Sequence, residues 1–290
     1  KVLVIVYDAH ETPEEKNSPD AFFDPEEETY EIERLMEDAS RFHGYKDPDA
    51  KPEADFQITD IIWHTGQTPK IDRDGDGVIE GGDADYVKIL RDHNVCNKSG
   101  TGLVDQGKVD EVWLWSGRSG GFWESVLVGS PEDVFFMNGG PVWYEVINGQ
   151  KVPFDDCPKP VIVMGLNYAV EAGYESFAHR AEWALARIID NQIASRPTGN
   201  LGQFSDEPAS KSVDELRYCG NPHFAPNVIS RDEEYLANSE RYVTSDCEDW
   251  DPLHKGEKIQ INCNNWPVID DKSCSRSEFQ RWWLQNVPGR

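Results

Sequence analysis

Apolar runs alternate with helical patterns over the first two thirds of the chain. Four runs, at residues 2–7, 55–63, 109–115 and 161–165, are typical of strands. Helical periodicity appears at residues 25–44, 84–91 and 169–189. Strands that alternate with helices predict an α/β fold, with a mostly parallel sheet flanked by helices in layers of the flavodoxin or Rossmann type.

The pattern changes beyond residue 195. Residues 196–290 are rich in Gly, Pro, Asn, Asp and Trp, and only residues 278–284 show helical periodicity. We therefore predict an α/β core over residues 1–195 and an irregular, disulfide-braced lobe over residues 196–290, packed together as one structural unit. The chain has six cysteines without a CxxC pair, and four of them follow residue 218, which predicts two bridges in the lobe. Spacing alone does not choose among the fifteen pairings.

Charge and hydropathy narrow the classes of partner. The net charge of −26 argues against nucleic acid, because the field of the protein repels phosphate. No apolar run approaches the length of about 18 residues that a membrane span requires. The chain opens directly on a strand at Lys1, without Met. We expect a secreted, extracellular protein in its mature form, with its signal peptide removed.

An acidic stretch at residues 72–83 has the spacing of a calcium loop. Ca²⁺ needs six to eight oxygen ligands, which an EF-hand-type loop of twelve residues supplies from fixed positions. The predicted ligands are Asp72, Asp74, Asp76, the carbonyl of Val78, Glu80 and Asp83, with Gly77 at the turn. Position twelve is the shorter Asp, and no convincing helix enters the loop. We therefore expect a structural Ca²⁺ site and not a sensor.

The helix predicted after the fourth strand carries a polar face. Glu175, His179 and Glu182 are spaced by four and three residues, so they share that face. His179 and Glu182 have the spacing of transition-metal ligands, and His223 is the best candidate for a further ligand, which suggests Zn²⁺ or another transition metal. One alternative is a solvated helix face with a structural His223.

A second alternative is a metal-free acid/base site. Glu124 follows a glycine-rich turn, and with Asp8, Glu175 or Glu182 it would form a general acid and base pair. Asp8 comes directly after the first strand. In parallel sheets, ligands bind outside the carboxyl ends of the strands. The sequence does not choose between this interpretation and the metal site.

Short motifs are spread over most of the chain in a specific order: VLVIVYD at 2–8, DEVWLW at 110–115, GFWES at 121–125, MGLNY at 164–168, ESFAHRAE at 175–182, GNPHFAPN at 220–227, SDCEDW at 245–250 and WWL at 282–284. Together they resemble an uncharacterised family of secreted bacterial proteins. The resemblance implies a secreted single unit but no particular reaction. Residues 72–83 look like an insertion relative to the family pattern, which supports a stabilising role for that loop.

These observations lead to two hypotheses. The first is a secreted, calcium-stabilised hydrolase, metal-dependent or not, that acts on an extracellular polymer, with polysaccharide favoured over peptide. The chain has ten Trp and ten Tyr, and aromatic rings beside a cleft stack well on sugars. The second hypothesis is a non-catalytic, calcium-binding protein that binds carbohydrate or takes part in cell-surface assembly.

Overall fold

The computed structural model describes residues 1–7, 24–71, 83–116, 120–135, 137–147, 149–166, 170–190, 204, 214–234, 240–251, 253, 255–268 and 274–287. Within these residues the strands are β1 (Val2–Val6), β2 (Ile58–Trp63), β3 (Glu111–Trp115), β4 (Ser125–Val128), β5 (Tyr144–Ile147), β6 (Gln150–Pro153), β7 (Val161–Leu166), β8 (Val243–Ser245) and β9 (Ile259–Ile261). The longer helices are α1 (Pro25–Ala39), α2 (Tyr86–Asp92), α3 (Val170–Asp190) and α4 (Arg276–Asn286).

The main sheet has five strands in the order β2-β1-β3-β7-β4. The first four are parallel, and β4 pairs with β7 in the antiparallel sense. Strands β1 and β3 are buried along their whole length, as their unbroken apolar sequences predict. The predicted α/β fold with a mostly parallel sheet is thereby confirmed.

The helix starts follow from local chemistry. The side chain of Asp24 accepts the backbone N–H of Glu26 at 2.9 Å, directly before the first residue of α1. The side chain of Asp85 likewise accepts the N–H of Lys88 at 2.9 Å at the start of α2. Helix α1 ends at Ala39 and not at residue 44, because turns occupy the residues that follow.

The chain divides into two compact units. Unit 1 comprises residues 1–33 and 56–176, and unit 2 comprises residues 34–55 and 177–290, so that the division falls within α3. The main sheet and the hairpin of β5 and β6 lie in unit 1. The disulfide between Cys96 and Cys157 also belongs to unit 1 and closes 61 residues of chain. The predicted domain boundary at residue 195 lies in a stretch outside the described residues, so it stays a prediction.

Unit 2 is largely irregular. Disulfides join Cys219 to Cys247 and Cys263 to Cys274, which confirms the two bridges predicted for the C-terminal lobe. Helix α4 begins at a capping box, in which the Ser275 side chain accepts the N–H of Glu278 and the Glu278 side chain accepts the N–H of Ser275. Its residues Phe279, Trp282 and Trp283 are buried and supply much of the apolar core of this unit.

No helix in the described residues combines the length and the apolar character that crossing a membrane requires. All six cysteines lie in the described part of the chain, and each is in a disulfide.

Candidate metal centre

Helix α3 positions three of the predicted site residues. The first turns of α3 pack closely against α1 within unit 1. A Cβ atom at Gly173 would lie 2.8 Å from the side chain of Ile32, so Gly allows this close approach. The Ser176 hydroxyl donates to the carbonyl of Gly165 at 3.1 Å. Glu175 and His179 are one helical turn apart on this element, so the helix itself fixes one relative to the other.

A tight turn positions His223. The Asn221 side chain accepts the backbone N–H groups of His223 at 2.9 Å and Phe224 at 3.1 Å, as in an Asx-turn. Gly220 has φ of 73°, and a Cβ atom there would lie 2.1 Å from the Phe224 carbonyl oxygen, which explains why Gly occupies this position. The Pro222 carbonyl accepts from the side chain of Gln280 at 3.1 Å, so helix α4 holds the turn from behind.

The two imidazoles meet. His179 Nε2 and His223 Nε2 are 2.7 Å apart, with ring centroids 4.8 Å apart and ring planes at 63°. Glu175 completes a group with one donor atom from each residue, and these three atoms all lie within 4.8 Å of one another. The described residues thus contain a candidate metal-binding triad of two imidazoles and one carboxylate.

Both imidazoles contact a carboxylate through the opposite ring nitrogen. His179 Nδ1 lies 3.3 Å from Glu182 Oε2, and His223 Nδ1 lies 2.7 Å from Glu234 Oε1. An ionised carboxylate only accepts hydrogen bonds, so this arrangement favours the tautomer in which Nδ1–H donates to the carboxylate and Nε2 carries a lone pair. Metal-binding histidines are oriented by such contacts.

These contacts create an electrostatic conflict. If both rings carry hydrogen on Nδ1 alone, two lone pairs face each other at 2.7 Å. A hydrogen on one of the two Nε2 atoms turns the contact into a hydrogen bond, and a cation bound by both nitrogens, with the rings slightly farther apart, also removes the repulsion. The donor set suits the second solution, because imidazole nitrogen and carboxylate oxygen are the ligands of Zn²⁺ and of other late divalent metals.

The group is buried on one side and accessible on the other. The His179 side chain is 11 % exposed and the Glu182 side chain 14 %, whereas the His223 side chain is 29 % exposed and the Glu234 side chain 45 %. A bound cation would thus have a low-dielectric side that strengthens its contacts and a solvent side that leaves room for water.

The carboxylates predicted as site residues do not all lie at the metal centre. Glu182, predicted as a metal ligand and as an acid or base, contacts the outer nitrogen of His179, while Glu175, predicted as an acid or base, is the carboxylate of the donor group. Glu124 lies just before β4 in unit 1, where its carboxylate accepts the side-chain amide of Asn138. Asp8 is outside the described residues.

The predicted calcium ligands Asp72, Asp74, Asp76, Val78 and Glu80 also lie outside the described residues; Asp83 is within them. The two ends of this segment are joined: Ile71 N–H donates to the Asp83 carbonyl at 3.1 Å, and Asp85 N–H donates to the Pro69 carbonyl at 2.8 Å. Residues 70 and 84 form an antiparallel bridge. These contacts hold residues 69–71 and 83–85 together, and we call this arrangement the closed base of the acidic segment.

Sequence reasoning missed Glu234. This residue follows a 3₁₀ turn at Arg231–Glu233, eleven residues after His223, and shares no periodic element with it. No spacing rule connects the two, so an acidic residue in a loop gave no signal. The fold alone brings its carboxylate to the ring.

No protein-family model matches the chain, and a search of curated proteins found no match either. The fold and the site thus define an α/β protein with a candidate metal centre formed by two histidines and a glutamate.

Proposed function

We propose that this protein is a secreted, metal-dependent hydrolase that acts on an extracellular polymer, with polysaccharide favoured over peptide. The observation that carries the proposal is the convergence of His179 Nε2 and His223 Nε2 at 2.7 Å, with a carboxylate on the Nδ1 of each ring. Zn²⁺ is the cation that this donor set fits best.

Each residue of the group has a role in this proposal. His179, His223 and Glu175 hold the cation, and Glu182 and Glu234 orient the two rings. Catalytic zinc sites use about three protein ligands and leave a position for water, whereas structural sites are closed by four. Bound zinc lowers the pKa of its water to about 7, which supplies a hydroxide nucleophile for hydrolysis at neutral pH.

Two exposed tryptophans support a polysaccharide substrate. Trp63 is 54 % exposed and Trp123 is 49 % exposed, whereas Trp113 and Trp115 are fully buried and belong to the core. Exposed indole rings are costly in water and are suited to stacking on sugar faces. Three disulfides support secretion, because disulfides persist in oxidising compartments.

An activity screen tests the proposal. The zinc-loaded protein is incubated with a panel of extracellular polysaccharides and with denatured protein, and product ends are quantified. We expect cleavage by the wild type, a loss of about a thousandfold or more in His179→Ala, and no loss in Glu257→Gln, which changes an exposed carboxylate in the same unit.

Glycan binding without any product would contradict the hydrolase and favour the non-catalytic carbohydrate-binding alternative. Equal activity in the wild type and in His179→Ala would also refute the proposed centre.

The acidic segment at residues 72–83 is proposed as a stabilising Ca²⁺ site. The closed base described above supports this, because it brings both ends of a twelve-residue ligand loop together. A ligand that binds only the folded state raises the melting temperature, so a calcium-selective chelator should lower it. The variant Asp74→Asn/Asp76→Asn should melt at the lower temperature with or without Ca²⁺. An unchanged melting curve of the wild type in excess chelator would count against the site.

A further inference from the structure

A second pair of imidazoles meets in unit 1. His64 Nε2 and His93 Nε2 are 2.9 Å apart, with ring centroids 4.6 Å apart and ring planes at 89°. The two histidines are 29 residues apart in sequence and lie on different elements. This pair shares no residue with the group formed by Glu175, His179 and His223.

Backbone and ring contacts hold the two imidazoles in place. His64 continues the ladder past the end of β2, since its N–H donates to the Val6 carbonyl at 2.7 Å. The Tyr7 ring stacks on the His64 ring at 5.1 Å and 16°, and it meets the His93 ring edge-on at 6.5 Å. His93 caps the C-terminus of α2, and its N–H donates to the Ile89 carbonyl at 3.2 Å. Both rings are thus preorganised before any ligand binds.

The location is where α/β sheets bind ligands. Tyr7 and His64 directly follow the carboxyl ends of the parallel strands β1 and β2. Both histidines are partly exposed, so water can complete a coordination shell. Asp92, the carboxylate next to His93 in sequence, is paired with Lys88 Nζ at 2.7 Å, so the two imidazoles are the donor groups that contact each other here among the described residues.

We propose that His64 and His93 form a second transition-metal site, which binds a late first-row divalent cation such as Zn²⁺ through two Nε2 atoms and water. Imidazole nitrogen is the preferred protein donor for these ions. The site is weaker than the first one. It contributes one donor fewer, and in the described part of the chain no carboxylate holds either ring, whereas such contacts are worth about 10- to 100-fold in affinity.

Zinc titration of histidine-labelled protein tests the proposal. Imidazole ¹⁵N–¹H correlation spectra are recorded in excess Ca²⁺, which occupies oxygen-ligand sites. Wild type, His179→Ala/His223→Ala and His64→Ala/His93→Ala are compared. Resonances that are missing from the third spectrum belong to the second pair.

We expect the wild type to bind zinc in two phases, the second about tenfold weaker or more. His179→Ala/His223→Ala should retain the weak phase, with shifts at the His64 and His93 nitrogens. His64→Ala/His93→Ala should retain only the tight phase.

Absence of zinc-dependent shifts at His64 and His93 in the wild type would overturn the second site. A failure of the first centre would instead appear as loss of the tight phase alone, so the two proposals fail independently.

Discussion

The contact between Glu234 and His223 allows a quantitative test of the metal centre. Glu234→Ala removes the carboxylate that lies 2.7 Å from His223 Nδ1. The ring then loses the partner that favours the metal-binding tautomer and that makes the ring a better donor. Removal of such a partner costs about 10- to 100-fold in metal affinity, or about 1.4 to 2.8 kcal/mol at 1.4 kcal/mol per tenfold.

Exposure decides where in this range the effect falls. The Glu234 side chain is 45 % exposed, so water replaces part of the lost contact and we expect a loss of about tenfold. Glu182 is 14 % exposed, and water reaches the Nδ1 of His179 less easily. We therefore expect Glu182→Ala to lose more affinity than Glu234→Ala, although its contact of 3.3 Å is longer.

Competition of the protein with a chromophoric zinc chelator measures these affinities. Glu234→Gln should recover part of the loss, because the amide oxygen still accepts the Nδ1 hydrogen. Glu257→Ala removes the same charge from an exposed position of the same unit and should change the Kd by less than about twofold. Equal zinc affinity in Glu234→Ala, Glu182→Ala and the wild type would refute the assigned roles of both carboxylates.

Three further predictions concern stability. Thr29→Val removes the hydroxyl that accepts the buried indole N–H of Trp115 at 2.8 Å, and denaturant unfolding should show a loss of about 1–3 kcal/mol, whereas Thr29→Ser should lose much less. Gly165→Ala places a Cβ atom 2.5 Å from neighbouring side-chain and backbone atoms, so it should cost about 1–3 kcal/mol; full stability would contradict the packing of β7. A hydrogen bond from Arg91 lowers the pKa of Glu145. The contribution of this pair to the free energy of unfolding is therefore complete above the unfolded pKa of about 4.3 and is lost as the pH falls from there through the lower pKa of the folded state. Wild type should lose more stability than Glu145→Gln between about pH 5 and 3. Parallel curves of unfolding free energy against pH for the two proteins would contradict a stabilising role of this pair.

The sequence predicted the parts of the fold that depend on local periodicity. The unbroken apolar runs identified β1, β3 and β7, and the helical spacing of Glu175, His179 and Glu182 placed them on one face of α3. Strand β4 was missed because it has only four residues, and its short apolar run follows a glycine-rich turn without alternation. Its antiparallel pairing with β7 depends on tertiary contacts.

The candidate site shows the same limit. Spacing placed Glu182 near His179 but did not show that it contacts Nδ1, because that choice depends on ring rotation. His223 was predicted from composition, and its meeting with His179 required the turn at Gly220 and helix α4. The contact of His64 with His93 had no local signal at all, since the two residues meet only when α2 packs against the sheet to which β2 belongs.

Zinc analysis of the purified protein tests the central claim most directly. The protein is stripped with a chelator, reloaded with Zn²⁺ in excess Ca²⁺, passed through gel filtration to remove weakly bound ions, and analysed by elemental mass spectrometry. We predict at least one zinc per wild-type chain and about one zinc fewer per chain in His179→Ala/His223→Ala. No zinc in the wild type, or equal zinc in both proteins, would contradict the proposed metal centre.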